Sequence, residues 1–206
     1  MNNQKTGCLF IICAPSGAGK TSLVREILKA GLNLSLSVSH TTRTPRAQEV
    51  NGRDYHFVSH EAFKRMLLNG EFLESAEVYG NLYGTSQTWI NNAVATGRDI
   101  LLEIDCQGAK QVRQIFPQAI GIFILPPSMN TLEMRLRSRA QDNPEVIQKR
   151  LDAAREEVSH INEFDYVIIN NLLPEALGDL TCIIKAERLK KERQLRRHQS
   201  LITQLT

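Results

Sequence analysis

The stretch that decides the fold is Leu9-Phe-Ile-Ile-Cys-Ala-Pro-Ser-Gly-Ala-Gly-Lys-Thr21. Leu9–Cys13 (LFIIC) is a short, unbroken apolar run, the pattern of a strand buried on both faces. Ala14–Thr21 (APSGAGKT) is a glycine-rich turn. After it, Ser22–Ala30 carries Leu23, Ile27 and Leu28 at helical spacing and is closed by Gly31. A strand, a glycine-rich loop and a helix N-terminus in direct succession make a cradle for phosphate. Gly17 and Gly19 let the backbone turn its N–H groups inward, and the helix adds its positive dipole end. Lys20 reaches the β- and γ-phosphates as a point charge, and the Thr21 hydroxyl suits Mg²⁺. The consensus GxxxxGK[ST] asks for glycine where this chain has Ala14, so the reading rests on the strand and helix that flank the loop. The triphosphate-binding segment comprises Ala14, Pro15, Ser16, Gly17, Ala18, Gly19, Lys20 and Thr21. The bland alternative, an ordinary Ser/Gly-rich connection, does not account for Gly-Lys-Thr at that junction.

Outward from this loop, further buried-strand runs stand at Ile100–Ile104, Ile120–Leu125 and Tyr166–Ile169. Helical patterns at Ala109–Ile115, Met129–Arg139 and Glu145–Asn162 separate them, the last preceded by Asn143-Pro144 as N-cap and first helical residue. Strands alternating with helices predict an α/β, three-layer P-loop NTPase fold with a parallel core sheet. The stretch 34–96 reads differently. Its strand-like segments Leu36–Ser39, Tyr55–Val58 and Phe72–Tyr79, with a short helix at Glu61–Asn69, predict an inserted, mostly antiparallel subdomain. The arginine-dense stretch 128–155 lacks a strand and predicts a helical flap. The expected division is a core of about 1–33, 97–127 and 156–206, an inserted subdomain of about 34–96 and a lid of about 128–155. Lys185–His198 carries seven Lys/Arg against two Glu on an apparent helix; a solvated face is the plain reading, an oligomer or RNA contact the alternatives.

Composition sets the bounds. The 206 residues suit one domain, 42% hydrophobic content suffices for a core, and a net charge of +3 is too slight to argue for nucleic acid. Cys8, Cys13, Cys106 and Cys182 form no CxxC pair and read as reduced thiols. No apolar run reaches membrane-spanning length, and the run after MNNQKTG ends at Pro15, too soon for a signal peptide. A cytoplasmic protein is expected.

The acceptor is read from charge. Glu103 and Asp105 close the run Ile100–Asp105 where a metal-assisting acid is expected, Asp105 at the carboxyl end of its strand; a helix N-cap is the plain reading of Asp105. A hydroxyl acceptor needs a base, whereas a phosphate acceptor is already an anion, with a second pKa of about 6, and needs arginines instead. His40-Thr-Thr-Arg-Thr-Pro-Arg46 places Arg43 and Arg46 in an extended loop, and Arg135, Arg139 and Arg150 fall on the flap. Guanidinium forks bind phosphate oxygens bidentately.

Five segments, SVSHTTRTPR (Ser37–Arg46), EVNGRDYHFV (Glu49–Val58), GEFLESAEVYGNLYGTS (Gly70–Ser86), LLEIDCQGA (Leu101–Ala109) and FILPPS (Phe123–Ser128), together with the alanine-first loop, resemble the bacterial-type guanylate kinase family over nearly the whole chain. The resemblance implies phosphoryl transfer from MgATP to GMP, and to dGMP, with a GMP-binding subdomain and a lid. It implies acceptor-phosphate ligands at Arg43, Arg46, Tyr55 and Tyr83, and guanine readers at Ser39, Glu74, Thr85 and Asp105. Arg135, Arg139 and Arg150 become the catalytic lid arginines beside Lys20 and Arg43, and Asn170 falls where adenine binds. It implies small-molecule partners, neither nucleic acid nor membrane, and allows self-association. Glu74 also has its own chemical logic: guanine offers two adjacent donors, N1–H and the N2 amino group, which one carboxylate accepts as a pair, and adenine does not. Three positions depart from the family pattern: Ala140 for a lid glycine, Asn171 for aspartate, and Cys106 for a bulkier residue. A non-catalytic, partner-binding module and a kinase for another small acceptor are the competing readings. The intact Gly17, Gly19, Lys20 and Thr21 argue against the first.

Overall fold

Leu9–Cys13 forms the central strand β1, and the reason is visible in its side chains. All five are buried, Phe10 and Ile12 facing one layer of helices while Leu9, Ile11 and Cys13 face the other. In the computed structural model, which describes residues 7–138 and 144–205, β1 is followed by α1 (Lys20–Lys29) and β2 (Leu34–Leu36). A second set of elements follows: β3 (His40–Thr41), β4 (His56–Phe57), α2 (His60–Leu68), β5 (Phe72–Val78) and β6 (Asn81–Ser86). The chain then returns through α3 (Gln87–Ala95), β7 (Asp99–Glu103), α4 (Cys106–Ile115) and β8 (Ile120–Leu125). It ends with α5 (Met129–Ser138), α6 (Pro144–Ser159), a 3-10 turn at His160–Glu163, β9 (Tyr166–Ile169), α7 (Leu173–Leu189), α8 (Lys191–Arg197) and α9 (Gln199–Leu205).

Two sheets result. The core sheet has the order β2-β7-β1-β8-β9, every neighbour parallel, with Ile12 opposite Glu103 and Cys13 opposite Phe123. Leu23, Val24 and Ile27 of α1 pack with Ala176, Leu180 and Ile184 of α7 on one face. Ile90 and Ala93 of α3 and Ala109 and Val112 of α4 cover the other. These three layers confirm the α/β reading. The second sheet, β4-β3-β6-β5, is mixed, because β3 and β4 run parallel while β3–β6 and β5–β6 are antiparallel. Among the described residues, no helix is long and apolar enough to cross a membrane.

Several sequence expectations change. The strand expected at Leu36–Ser39 within the inserted unit is β2, two residues earlier, and it belongs to the core sheet; the Ser37 N–H still donates to Leu101 (3.0 Å) before the chain crosses to the second sheet. The strand expected at Tyr55–Val58 shortens to β4, whose parallel pairing makes the sheet mixed rather than mostly antiparallel. The polar run of β6 and the helix α3 escape notice because Asn81, Gly84, Thr85 and Ser86 read as loop, although Ser86 caps α3 through the Trp89 N–H. α4 starts at Cys106, three residues earlier than its apolar pattern, because Asp105 is its cap. The basic C-terminal run is two helices broken at Lys190, where ψ is +136°. α6 gives way to the 3-10 turn before Asn162. Arg139, Ala140 and Asn143 lie outside the described residues.

The phosphate loop is held from behind. Gly19 has φ +94°, and an added Cβ there would lie 2.3 Å from Asn170 Nδ2. Asn170 is buried and donates to the Ala18 carbonyl at 2.8 Å, so loop and β9 are locked together at a point that tolerates only glycine. Gly19→Ala therefore loses about 1–2 kcal/mol to the left-handed backbone alone, and more through the displaced Asn170. Gly178→Ala, at an open position within α7, gains up to about 1 kcal/mol. Urea unfolding of the two variants checks the opposite signs.

Candidate active site

The carboxyl ends of β1 and β7 open onto a cavity of about 240 Å³, with the second sheet as its far wall. From the core come Ala14–Gly17, Gly19–Thr21, Glu103, Ile104 and Asp105; from the second sheet come Ser39, Arg46, Tyr55, Glu74 and Tyr83; from α6 come Arg150 and Glu157. Ala14 shows no positive φ, so its methyl group stands in the loop without backbone strain.

At the loop end, Lys20 Nζ donates to the Ile104 carbonyl (3.0 Å) and the Thr21 hydroxyl to Glu103 Oε1 (2.5 Å). Thr21 and Glu103 thus present two hard oxygen donors side by side, a set that fits Mg²⁺ when phosphates and water complete the shell. No group of three or more His, Cys, Asp or Glu gathers for a metal among the described residues. Glu157, which carries no motif signal in the sequence, accepts the Ser16 N–H and faces Lys20; burial pushes its carboxyl pKa upward. A carboxylate thus engages one of the loop N–H groups.

Three expected nucleotide contacts stand behind the loop instead of in the cavity wall. Ala18 is fully buried, Asn170 holds its carbonyl, and Arg135 donates to the Ala18 and Asn170 carbonyls at 3.4 and 3.0 Å. Arg150 places its guanidinium 5.6 Å from the Tyr79 ring centroid, so α6 reaches the second sheet. Tyr79 itself adopts φ +50° in the turn between β5 and β6.

At the opposite end, Glu74 is 3% exposed and accepts the Thr85 hydroxyl at 2.5 Å, and the Ser39 hydroxyl lies 3.4 Å from that of Thr85. Burial pushes the Glu74 carboxyl up to about 7, although the Thr85 bond opposes the shift. Thr85 is itself fully buried with its proton directed to Glu74, which leaves Ser39 as the cavity hydroxyl. Asp105 is the helix cap that its plain reading gives, accepting the Gly108 N–H (2.8 Å), and it also faces the cavity.

Between the two ends lies a cationic and phenolic wall. Arg46 lines the cavity and makes no side-chain hydrogen bond among the described residues, whereas Arg43 sits behind it. Arg43 Nη2 spans both oxygens of Glu49 (2.8 and 3.0 Å), while its guanidinium also bonds Tyr83 and places Cζ 5.4 Å from the Tyr55 ring centroid. Burial pushes the Tyr55 phenol up to about 12, so it remains a neutral donor at physiological pH.

The family model described as Guanylate kinase matches residues 6–187. The chain belongs to the guanylate kinase family. It is 62% identical to a guanylate kinase of Nitrosospira multiformis, over 97% of this chain and 95% of that one. It is 58% identical to one of Nitrosomonas europaea, over 97% and 99%. The crystal structure of guanylate kinase from Anaplasma phagocytophilum superposes with a TM-score of 0.76 at 36% identity, covering 92% of this chain and 90% of that one.

In this member of the guanylate kinase family, α4 seats the strand that carries Glu74. Gln111 Oε1 accepts the Ser75 N–H (3.0 Å) and its Nε2 donates to the Ser75 carbonyl (2.8 Å), so one side-chain amide occupies the free edge of β5. Asp105, Gly108 and Gln111 recur every three residues along α4. Gly108 meets Glu74 so closely that an added Cβ would stand 2.5 Å from Glu74 Oε2. Gln111 carries no sequence signal, since a polar residue on an amphipathic helix reads as solvent-facing; Gly108 within a helix is the one hint of a close approach. Gly108→Ala overpacks this contact and loses about 1–3 kcal/mol. Adding Glu74→Ala removes the clash, so Gly108→Ala in that background is neutral or stabilising; a double-mutant cycle by thermal unfolding measures the coupling.

Proposed function

We propose that the chain transfers the γ-phosphoryl group of ATP to GMP, giving ADP and GDP, with Glu74 as the residue that reads guanine. The observation that carries this reading is a buried carboxylate at the end of a cavity whose other end is a phosphate loop. Guanine N1–H and the N2 amino group satisfy both oxygens of such a carboxylate, while adenine leaves them unpaired. Ser39 donates to guanine O6, and Asp105 lies beside the same edge. dGMP, which keeps the guanine edge and the phosphate, is accepted as well.

The loop N–H groups of Ser16–Thr21 and Lys20 hold the ATP phosphates, Lys20 exchanging the Ile104 carbonyl for phosphate oxygens as Glu157 yields the Ser16 N–H. Thr21 and Glu103 hold Mg²⁺, which offsets phosphate charge when bound. Arg46, Tyr55 and Tyr83 take the GMP phosphate, and Arg43 orients Tyr83. No general base is required, because the attacking oxygen belongs to a phosphate already ionised near neutral pH. Arg135, Arg150 and Arg139 offset the charge of the transferring group; Arg135 does so while bracing the loop, and Asn170 borders the adenine ring. The second sheet is the GMP-binding subdomain and α5–α6 the lid, whose closure excludes water. Free thiols at Cys8, Cys13, Cys106 and Cys182 favour a cytoplasmic setting.

ADP release measured with ATP and each of GMP, dGMP, AMP, CMP and UMP tests the reading: GMP and dGMP turn over, the others at about 10²-fold lower kcat/KM or less. Lys20→Met lowers kcat by about 10²-fold or more with the fold retained. Dominant turnover of another monophosphate contradicts the acceptor assignment.

Glu74 also makes acceptor binding pH-dependent. Its carboxyl, raised to about 7, is largely protonated at pH 6 and ionised at pH 8. The ionised form accepts the guanine donors, so KM for GMP falls as pH rises through 7. Titration of the GMP phosphate, with a pKa of about 6, adds a separate step at lower pH. Glu74→Gln raises KM for GMP and removes the step near 7 while keeping the lower one. Steady-state kinetics from pH 5.5 to 8.5 distinguishes them.

A further inference from the structure

At the opposite, amino-terminal end of β1 and β7 lies a second cavity of about 350 Å³, walled by Cys8, Asn33, Gly97 and Asp99 and by four arginines, Arg188, Arg193, Arg196 and Arg197. Its one acid is already satisfied. Asp99 Oδ1 accepts the Cys8 N–H and Oδ2 accepts Arg188 Nε, each at 2.6 Å, and Arg188 also donates to the Leu32 carbonyl. Arg188 and Asp99 therefore brace the cavity and contribute little net charge.

The other three guanidinium groups are poorly matched. Arg193 donates to the Cys8 sulfur at 2.8 Å, and burial together with Asp99 pushes that thiol up to about 12, so it is a neutral acceptor. The carboxylate nearest Arg193 is the buried Glu187, whose Oε1 accepts Tyr166 (2.6 Å) and Lys190 (2.8 Å) and whose Oε2 pairs with Arg193 at 4.0 Å, beyond hydrogen-bonding distance. Arg196 uses one N–H on the Glu192 carbonyl, an uncharged partner, while the Glu192 carboxylate lies near Lys191. Arg197 has no hydrogen-bond or ion-pair partner among the described residues. Three cations thus share one concavity without a carboxylate within hydrogen-bonding distance. In a concave setting such charges reinforce one another's field.

We infer that this cavity is a second anion site, distinct from the phosphate loop, that takes a compact polyanion bearing two or more phosphoryl groups. Guanidinium groups donate in pairs to phosphoryl oxygens and offset the charge of such an anion, and the volume falls in the range of small-ligand sites, about 300–1,000 Å³. A concavity of about 350 Å³ suits a small ligand better than an RNA backbone, which needs a long track. The site rests on α8 and the strand starts, far along β1 and β7 from Lys20, so its occupancy is separable from catalysis.

Inorganic pyrophosphate is the probe. With the phosphate loop and acceptor site filled by saturating ADP and GMP, calorimetric titration shows one further equivalent bound. The double variant Arg196→Ala/Arg197→Ala weakens that binding at least tenfold; both side chains are exposed and alanine favours the helix, so the fold is kept. Its turnover with ATP and GMP stays within twofold of the parent. Absence of saturable binding to the filled protein, or an unchanged isotherm in the double variant, overturns the site. Arginine-dependent binding of a single-stranded RNA oligonucleotide without pyrophosphate binding also overturns it, by making the basic face a nucleic-acid surface.

Discussion

The burial of one carboxylate, Glu74, is the constraint around which the acceptor side of this structure is built. Moving an ionised carboxylate out of water costs several kcal/mol unless donors replace the lost hydration. Here the Thr85 hydroxyl donates at 2.5 Å and the Thr85 backbone N–H assists it, yet burial, with Asp105 adding to it, still pushes the carboxyl up to about 7. An apolar residue would pack at less expense. The arrangement is reasonable only if a ligand brings the missing donors, and guanine carries two in the right relation.

That carboxylate stands on a different sheet from the phosphate loop, so something must hold the two in register. α4 does so directly. It is capped by Asp105, two residues after the Glu103 that ends β7, and its turns meet Glu74 through Gly108 and the β5 backbone through Gln111. The loop end is fixed by equally short connections, with Asn170 and Arg135 gripping the Ala18 carbonyl from β9 and α5. Lys20, Thr21 and Ser16 are meanwhile engaged by Ile104, Glu103 and Glu157.

The sequence was most legible where one local pattern suffices. The double burial of β1, the Gly-Lys-Thr at the loop and the apolar runs of β7, β8 and β9 are all local, and each stands where it was expected. Legibility failed where tertiary partners decide. Leu34–Leu36 joins the core sheet because β7 offers it an edge, a fact absent from its own three residues. β6 is polar because its inner residues serve the cavity and its neighbours, so it reads as loop. Among the candidate side chains, the loop residues other than Ala18, with Ser39, Arg46, Tyr55, Glu74, Tyr83, Asp105 and Arg150, meet in one cavity. Arg43, Arg135, Asn170 and Thr85 lie one layer behind, and spacing along the chain does not tell a cavity wall from its support. The engagement of Arg43 with Glu49, six residues on, and of Arg135 with backbone carbonyls is a product of folding that no motif encodes.

The ionisation of Glu74 can be observed directly. Carbon-13 NMR of the side-chain carboxyls, assigned by comparison with Glu74→Gln, follows its titration in the free protein and in the presence of saturating GMP. A buried carboxylate waiting for two donors titrates near 7 when free and shifts down by at least one unit on GMP binding, since donors favour the charged form. A Glu74 carboxyl that titrates at its ordinary value, or whose titration GMP leaves unmoved, contradicts the central role given to it.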